Sequence, residues 1–360
     1  MPGKFQFQKF SEIDVSDSFF DSLKDDYPEF PQWFQKKADS AATALVFSDD
    51  EGLGAFIYLK SETEEIKLVE QTLPATLRRK IGTLKLADRY QGQRLGEGAL
   101  GLALWNWRKS QEPEIYVTVF SKHSILISLL ERFGFRLAGH KANGECIYVK
   151  SRLEVDYNDP YKSFPFINPA FKKAGYIIVN DIYHDTLFPY SELRHTLQDS
   201  VAMSAANGMS KVYVGSQLTP HYQPGEPVLI YRRHSKQDGQ KPRYKSCVTS
   251  FCIITNVLTV KKNNRTLMTF EDLLNQIGNK SVFDERDLRT KYKAEKSLLV
   301  IEMLYYGYFG GGNNVNMDWL DKNGYWAGEN EYPANVQLSP EQFRAILTEG
   351  KVDVQNVIIN

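Results

Sequence analysis

Residues 81–100 read Ile-Gly-Thr-Leu-Lys-Leu-Ala-Asp-Arg-Tyr-Gln-Gly-Gln-Arg-Leu-Gly-Glu-Gly-Ala-Leu, and they constrain the fold more than any other stretch. A strand candidate, Ile81 to Leu86, runs into a glycine-rich turn, and a strongly apolar helix candidate opens at about Leu95. A turn feeding a helix N-terminus is an anion site, because backbone N–H groups and the positive end of the helix dipole converge there. Phosphate is the usual guest. The spacing of Gly92, Gly96 and Gly98 is not that of the dinucleotide fingerprint, and the Gly-Lys-Ser/Thr of the P-loop is absent.

The flanking elements narrow the choice. Ile115 to Phe120 is a strand of apolar, β-branched and aromatic residues. A helix candidate over 123–133 places Leu126, Leu129, Leu130 and Phe133 on one face. Gly134 stops it, and Phe135–His140 and Glu145–Lys150 form a hairpin around Asn143-Gly144. Upstream lie strand candidates Phe5–Phe10, Thr43–Phe47 and Leu53–Leu59, with helix candidates around Asp17–Lys24 and Pro31–Lys37. In this order, and with Gln91-Gly92-Gln93-Arg94-Leu95-Gly96 at the turn, residues 4–150 resemble the GNAT N-acetyltransferases. The pyrophosphate loop of that family reads Gln/Arg-x-x-Gly-x-Gly/Ala. Arg94 stands where the pattern has its first glycine.

The resemblance implies an α/β GNAT acyltransferase fold over 1–150 and acetyl-CoA as cofactor. It assigns cofactor contacts to Leu84, Leu86, Gln91, Gly92, Gln93, Arg94, Leu95, Gly96, Glu97 and His123. A strand N–H from about Leu84 to Leu86 would polarise the thioester oxygen. The tyrosine that serves many members as general acid is matched by Leu130, and the fourth strand offers Thr83 and Lys85 in place of a glutamate base. The catalytic residues are therefore unassigned. Glu62, Glu64 and Glu65 follow the third strand and could reach the site as a base, although an exposed acidic loop is the better reading. An α-amine, with a pKa of about 7.7–8.0 against about 10.4 for lysine, needs little help from a base at pH 7. A site without a strong base suits such an amine, including one on an aminoacyl ester. Tyr90-Gln91-Gly92-Gln93-Arg94-Leu95-Gly96 also resembles the loop of GNAT toxins from toxin–antitoxin pairs, which acetylate aminoacyl-tRNA.

At 360 residues the chain has room for two domains. Its 42% hydrophobic and 24% charged content suffices for buried cores. The formal net charge is zero, so any basic surface is local. No apolar run approaches the roughly 20 residues of a membrane helix, and the N-terminus lacks a signal-peptide apolar region, so a cytoplasmic protein is expected. Three cysteines are too few for a disulfide framework; Cys247 and Cys252, five apart in a strand, read as buried thiols facing opposite sides. The six histidines, among them His184, His195 and His221, show no metal-ligand spacing, and no metal is expected.

Residues 151–175, with Pro160, Pro165 and Pro169, read as a linker that packs through Tyr157, Tyr161, Phe164 and Phe166. Beyond it come strand candidates Tyr176–Val179, Lys211–Val214, Pro227–Tyr231, a bent or broken Ser246–Val260, and Leu298–Leu304. Helix candidates are Phe270–Gln276, Asp284–Tyr292 and Pro340–Leu347, the last opened by a capping box of Ser339 and Gln342. The phrase Tyr222-Gln-Pro-Gly-Glu-Pro-Val-Leu-Ile-Tyr231 resembles the turn and strand of ASCH and related PUA-like domains, which mostly bind RNA. That resemblance implies an α+β PUA-like small β-barrel over 176–360. Between two of its strands, Arg232, Arg233, Lys236, Lys241, Arg243 and Lys245 face a single acid, Asp238, with Tyr244 beside them. Such a loop suits phosphates and stacked bases. RNA, and tRNA in particular, is the partner this implies. The aromatic and glycine-rich run Tyr305–Asn314 could line a base pocket with Trp319, Tyr325 and Trp326, but most of these aromatics read as filling the core or sealing an interface with the first domain.

The leading functional expectation is an acetyl-CoA-dependent N-acetyltransferase acting on an RNA-linked amine, an aminoacyl-tRNA or an RNA base, with a homodimer or an antitoxin as further partner. A protein or small-molecule N-acetyltransferase stays open, and so does a non-catalytic RNA-binding protein with a degenerate acyl-CoA domain.

Overall fold

Apolar residues on both faces of the middle strands bury the first sheet between helices. The structure, a computed structural model, describes residues 4–191, 203–216, 222–235, 242–326 and 335–359. The chain divides into two units, Met1–Val155 and Asp156–Asn360.

In the first unit the strands are β1 (Lys4–Lys9), β2 (Thr43–Asp49), β3 (Gly52–Lys67), β4 (Thr72–Leu86), β5 (Glu114–Phe120), β6 (Arg136–His140) and β7 (Glu145–Ser151). They lie in the order β1-β2-β3-β4-β5-β7-β6. The helices are α1 (Asp21–Asp26), α2 (Phe30–Asp39), α3 (Leu95–Arg108) and α4 (Ser124–Arg132). β4 and β5 run parallel, and α3 is the crossover such a pair requires. Leu95, Ala99, Leu100, Ala103 and Leu104 of α3 are fully buried, which explains why this helix is apolar nearly all round. Phe10, Phe20, Phe30 and Phe34 pack with Phe56 of β3 in one cluster.

Two sequence expectations need correction here. The helix expected from Asp17 begins at Asp21; Asp17 instead caps a short turn at Ser18–Phe20 by accepting the Phe19 N–H at 2.8 Å. The acidic stretch Glu62–Glu65 is strand and not loop, because it pairs antiparallel with Thr76–Arg78 of β4. The β3–β4 hairpin thus projects well past β5. Ile66, near its tip, packs on Tyr116 and Ile147. The tip itself reaches β6: the Val69 N–H donates to His140 O at 2.7 Å, and the Gln71 amide donates to Ala138 O at 2.9 Å. The Glu70 carboxylate accepts the His140 N–H at 2.8 Å.

In the second unit the strands are β8 (Ala174–Asn180), β9 (Ser210–Gly215), β10 (Pro227–Arg233), β11 (Cys247–Lys262), β12 (Arg265–Thr266), β13 (Leu298–Tyr308), β14 (Val315–Asn316) and β15 (Gln337–Leu338). Their order is β15-β8-β10-β11-β13-β9, with β12 and β14 also on β11. β11, expected to be bent or broken, is one continuous strand with three register shifts against β13. The expected closed barrel is not formed among the described residues. Closure requires the outer strands to meet, whereas the two-residue β15 pairs only with β8 and β9 only with β13. The architecture is an open, mixed α/β sheet. Residues 156–175 belong to this second unit, and β8 already begins at Ala174. Phe164 and Phe166 are fully buried, and Tyr306 Oη donates to Pro160 O at 2.5 Å. The capping box forms as read: Ser339 Oγ accepts the Gln342 N–H at 3.3 Å, and Gln342 Oε1 accepts the Ser339 N–H at 2.9 Å. Cys146, Cys247 and Cys252 are buried free thiols. Among the described residues, no helix is long and apolar enough to cross a membrane, and no group of His, Cys, Asp and Glu side chains is placed to hold a metal.

Candidate active site

β4 and β5 pair only from Arg78/Glu114 to Ile81/Val117. Beyond that point β4 continues through Gly82–Leu86 and β5 through Thr118–Phe120 with no pairing between them. A bulge explains the parting. Tyr58 of β3 faces Thr83 and Leu59 faces Ile81, so Gly82 is the extra residue that turns β4 aside. Its backbone lies on the Tyr58 ring, where an added Cβ would stand 3.0 Å from Cδ1. Sequence reading passed over Gly82, although an isolated glycine inside a strand is a bulge signal.

The gap opens into a cavity of about 1150 Å³. Leu84, Leu86, Gln91, Gly92, Arg94, Gly96, Glu97 and His123, assigned from sequence to the cofactor, all line it. Gln93 and Leu95 do not: the Gln93 amide turns back to Arg89 O at 2.8 Å, and Leu95 is fully buried. The turn is made by two left-handed residues, Gly92 at φ +73° and Arg94 at φ +61°. Arg94 therefore adopts the backbone geometry that favours glycine, the residue of the family pattern at that position. Its side chain folds onto Glu97 Oε2, with Nε and Nη2 each at 3.2 Å. α3 starts at Leu95, and its first intrahelical bond runs from the Gly98 N–H to Arg94 O at 3.2 Å. By helix geometry the amide of Gly96, which lines the cavity, has no intrahelical partner, and Arg94 offsets the carboxylate that Glu97 brings to that end.

Tyr90 fixes the base of the turn. Its hydroxyl bonds to Asp49, its ring packs edge-on against Phe47, and burial followed by the Asp49 contact pushes its pKa up to about 12. Gly54 sits beneath both rings, and a Cβ there would stand 2.7 Å from each of Phe47 Cδ1 and Tyr90 Cε2. Gly54→Ala should destabilise the protein by about 1–3 kcal/mol through overpacking, read as a lowered urea midpoint; an unchanged midpoint would mean that the two rings move aside freely.

Leu130, at the position of the family tyrosine, is fully buried and does not line the cavity, whereas Ser124 and Ser128 of α4 do. A different phenol is present. Tyr27, after α1, donates to Glu145 Oε1 at 2.7 Å, and both residues line the cavity. Burial, then Glu145, raises the Tyr27 pKa. Burial alone would raise Glu145 as well, but hydrogen bonds from Asn143 and Tyr27 and the charge of Lys141 hold it below the usual range. Across the mouth, Asp26 accepts from Lys122 and lies 3.4 Å from His123 Nε2. No sequence pattern announces a pair as distant as Tyr27 and Glu145.

The basic loop of the second unit is partly consumed by its own fold. Arg232 is 7% exposed and grips Asp185 with both Nε (3.0 Å) and Nη2 (3.1 Å). Arg243 bonds Asp318 and Asp321, each at 2.8 Å. Arg233, Tyr244 and Lys245 are exposed. Lys236 and Lys241, like His195 and His221, lie outside the described residues. The sequence showed one acid in the loop; the others arrive from distant segments. Tyr305, Tyr306 and Trp326 are buried in the core.

No protein-family model matches the chain, and no curated protein matches it. Among solved structures it is similar to an ASCH protein from Zymomonas mobilis, at 13% identity over 49% of this chain and 94% of that one, with a TM-score of 0.31. It is similar to NAA60 of Arabidopsis thaliana in complex with acetyl-CoA, at 15% identity over 42% of this chain and 100% of that one, with a TM-score of 0.31. An N-acetyltransferase from Staphylococcus aureus matches at 13% identity over 42% of this chain and 99% of that one, with a TM-score of 0.32. GNAT acetyltransferases and ASCH domains are thus both among the structures this chain is similar to.

Proposed function

We propose that the first unit is an acetyl-CoA-dependent N-acetyltransferase. The observation that carries this reading is the parting of β4 from β5 at Gly82, beside a left-handed turn at the N-terminus of α3, in one cavity. The residues fit the group: the N-terminus of α3, with Gly96 on the cavity wall, suits a pyrophosphate, and the edge of Gly82–Leu86 that does not pair with β5 offers backbone partners for an extended arm. When bound, acetyl-CoA supplies a thioester open to attack by an amine. Backbone N–H groups of Leu84–Leu86 would stabilise negative charge developing on the carbonyl oxygen. Glu145, held ionised by its hydrogen bonds, is a weak base and a good seat for an ammonium. Such a site favours an amine that is partly neutral at pH 7, as an α-amine is.

The finer reading adds an RNA-linked acceptor, an aminoacyl-tRNA or an RNA base, and with it the role of a toxin in a toxin–antitoxin pair. Exposed Arg233, Tyr244 and Lys245 support it. Calorimetry with acetyl-CoA, followed by assay of thiol release with aminoacyl-tRNA, deacylated tRNA, a peptide and a polyamine, tests both levels. Binding of acetyl-CoA with release on aminoacyl-tRNA is the expected result. Release on peptide or polyamine alone would remove the RNA reading, and absence of acetyl-CoA binding would remove the transferase itself.

A further inference from the structure

The end of the cavity away from the turn carries a cluster of charge that the cofactor reading does not use. Lys60 of β3 and Lys80 of β4 stand opposite each other in the strand register, and Tyr116 of β5 is the next residue across. Lys141 comes from the β6–β7 turn, and all three lysines line the cavity. Two carboxylates answer them. Glu145 accepts from Lys141 at 3.2 Å. Glu62 pairs with Lys60, accepts from the Tyr116 hydroxyl, and lies 3.7 Å from Lys80. Lys80 thus shares Glu62 with Lys60, and holds it at ion-pair distance without a hydrogen bond. Its side chain is 20% exposed. Its ammonium lies 5.2 Å from the Tyr116 ring centroid, and the Glu62 oxygen at 3.7 Å is beyond hydrogen-bond reach. Burial, then the neighbouring charges of Lys60 and Lys141, lowers its pKa against the opposing pull of Glu62. A partly buried ammonium with no close hydrogen-bonded carboxylate is a favourable seat for an incoming anion. Lys80 also immediately precedes Ile81, where β4 and β5 part.

We propose that the acceptor amine belongs to a molecule with a nearby anionic group, a carboxylate or a phosphate, which Lys80 receives with Lys60 and Lys141 while the amine faces Glu145. This rests on the transferase reading for the identity of the amine, and on the chain's own side chains for the anion. Zwitterionic amines satisfy both charges of the cluster, whereas a neutral amide or a plain alkylamine leaves Lys80 unanswered.

The test uses two matched pairs of probes, phenylalanine with phenylalaninamide and phosphoethanolamine with ethanolamine. Each is titrated calorimetrically into the full chain, alone and saturated with acetyl-CoA. The anionic member of at least one pair should bind roughly tenfold more tightly, the discrimination that a charge-assisted hydrogen bond supports. The pair that shows the preference identifies carboxylate or phosphate. Lys80→Met, checked for folding by near-UV circular dichroism, should abolish the preference. Lys141→Met, at a partly exposed position, should reduce it and serves should Lys80→Met not fold. Equal binding within both pairs, no binding of any probe, or a preference untouched by both substitutions would overturn the proposal while leaving acetyl-CoA binding to speak for the transferase. If acetyl-CoA does not bind but the Lys80-dependent preference persists, the anion site stands and the transferase reading falls.

Discussion

Acetyl-CoA should bind an Arg94→Gly/Glu97→Gln variant as it binds the parent, and an Arg94→Val/Glu97→Gln variant about tenfold or more weakly, the effect of roughly 1.4 kcal/mol. The reasoning is one of backbone geometry. Arg94 holds φ +61° directly before the first turn of α3. A non-glycine residue there costs of order 1–3 kcal/mol, and a β-branched one is strained further. Glycine removes the strain and keeps the turn. Valine leaves the left-handed region if it can, and the amides that follow are then misaimed. Removing the Glu97 charge from both variants keeps the lost Arg94–Glu97 contact out of the comparison. Calorimetry reads the affinities and circular dichroism the fold. Equal affinity in the two variants would mean that the left-handed turn is not what aims these amides.

Arg232→Gln should destabilise the protein by about 1–3 kcal/mol, because it leaves a largely buried carboxylate, Asp185, without its cation, whereas Arg233→Gln should change stability by less than about 0.5 kcal/mol. The Arg232 partner sits in a connected network. His184 is fully buried and its pKa is lowered by that burial, so the ring is neutral. Asp185 as a carboxylate can only accept, so His184 Nδ1–H donates to it at 2.8 Å and Nε2 accepts from Thr249 Oγ1 at 2.7 Å. Burial would raise the Asp185 pKa, but the hydrogen bonds from His184 and Arg232 outweigh it and bring the value down to about 2. A carboxyl depressed in the folded state stabilises the fold above its unfolded value of 3.8, and that stability is lost as pH falls through about 2. The parent should therefore lose stability between about pH 5 and pH 2, and Arg232→Gln should lose less over the same interval. Urea unfolding across that range measures both. If Arg232→Gln keeps full stability and instead lowers the salt dependence of RNA binding, Arg232 is a phosphate contact and not a structural one.

What the sequence made legible was local. The Ser339–Gln342 box, the Gly134 stop and the helix start at Leu95 each depend on a few adjacent residues, and each is found. Arg94 was visible as a departure from a glycine pattern, and the positive φ explains the pattern itself. Partners brought together by tertiary structure were not legible. Ser61–Glu65 has no apolar alternation, and only its pairing with β4 makes it strand. The charge of the basic loop could not be judged from the loop, because Asp185, Asp318 and Asp321 are far away in the chain. Openness of the second sheet depends on which strands end without a neighbour, a property no single segment carries.

The contacts between the β3–β4 hairpin tip and β6 have a consequence for solubility. β6 is the last strand of its sheet, and a bare last strand is a template on which another extended chain can add itself. Here Val69, Glu70 and Gln71 already occupy the backbone of Ala138 and His140. A peptide or a second copy would have to lift the hairpin before it could extend the sheet. The long hairpin thus guards against runaway strand addition on that side, using residues whose polar sequence gives no hint of the task.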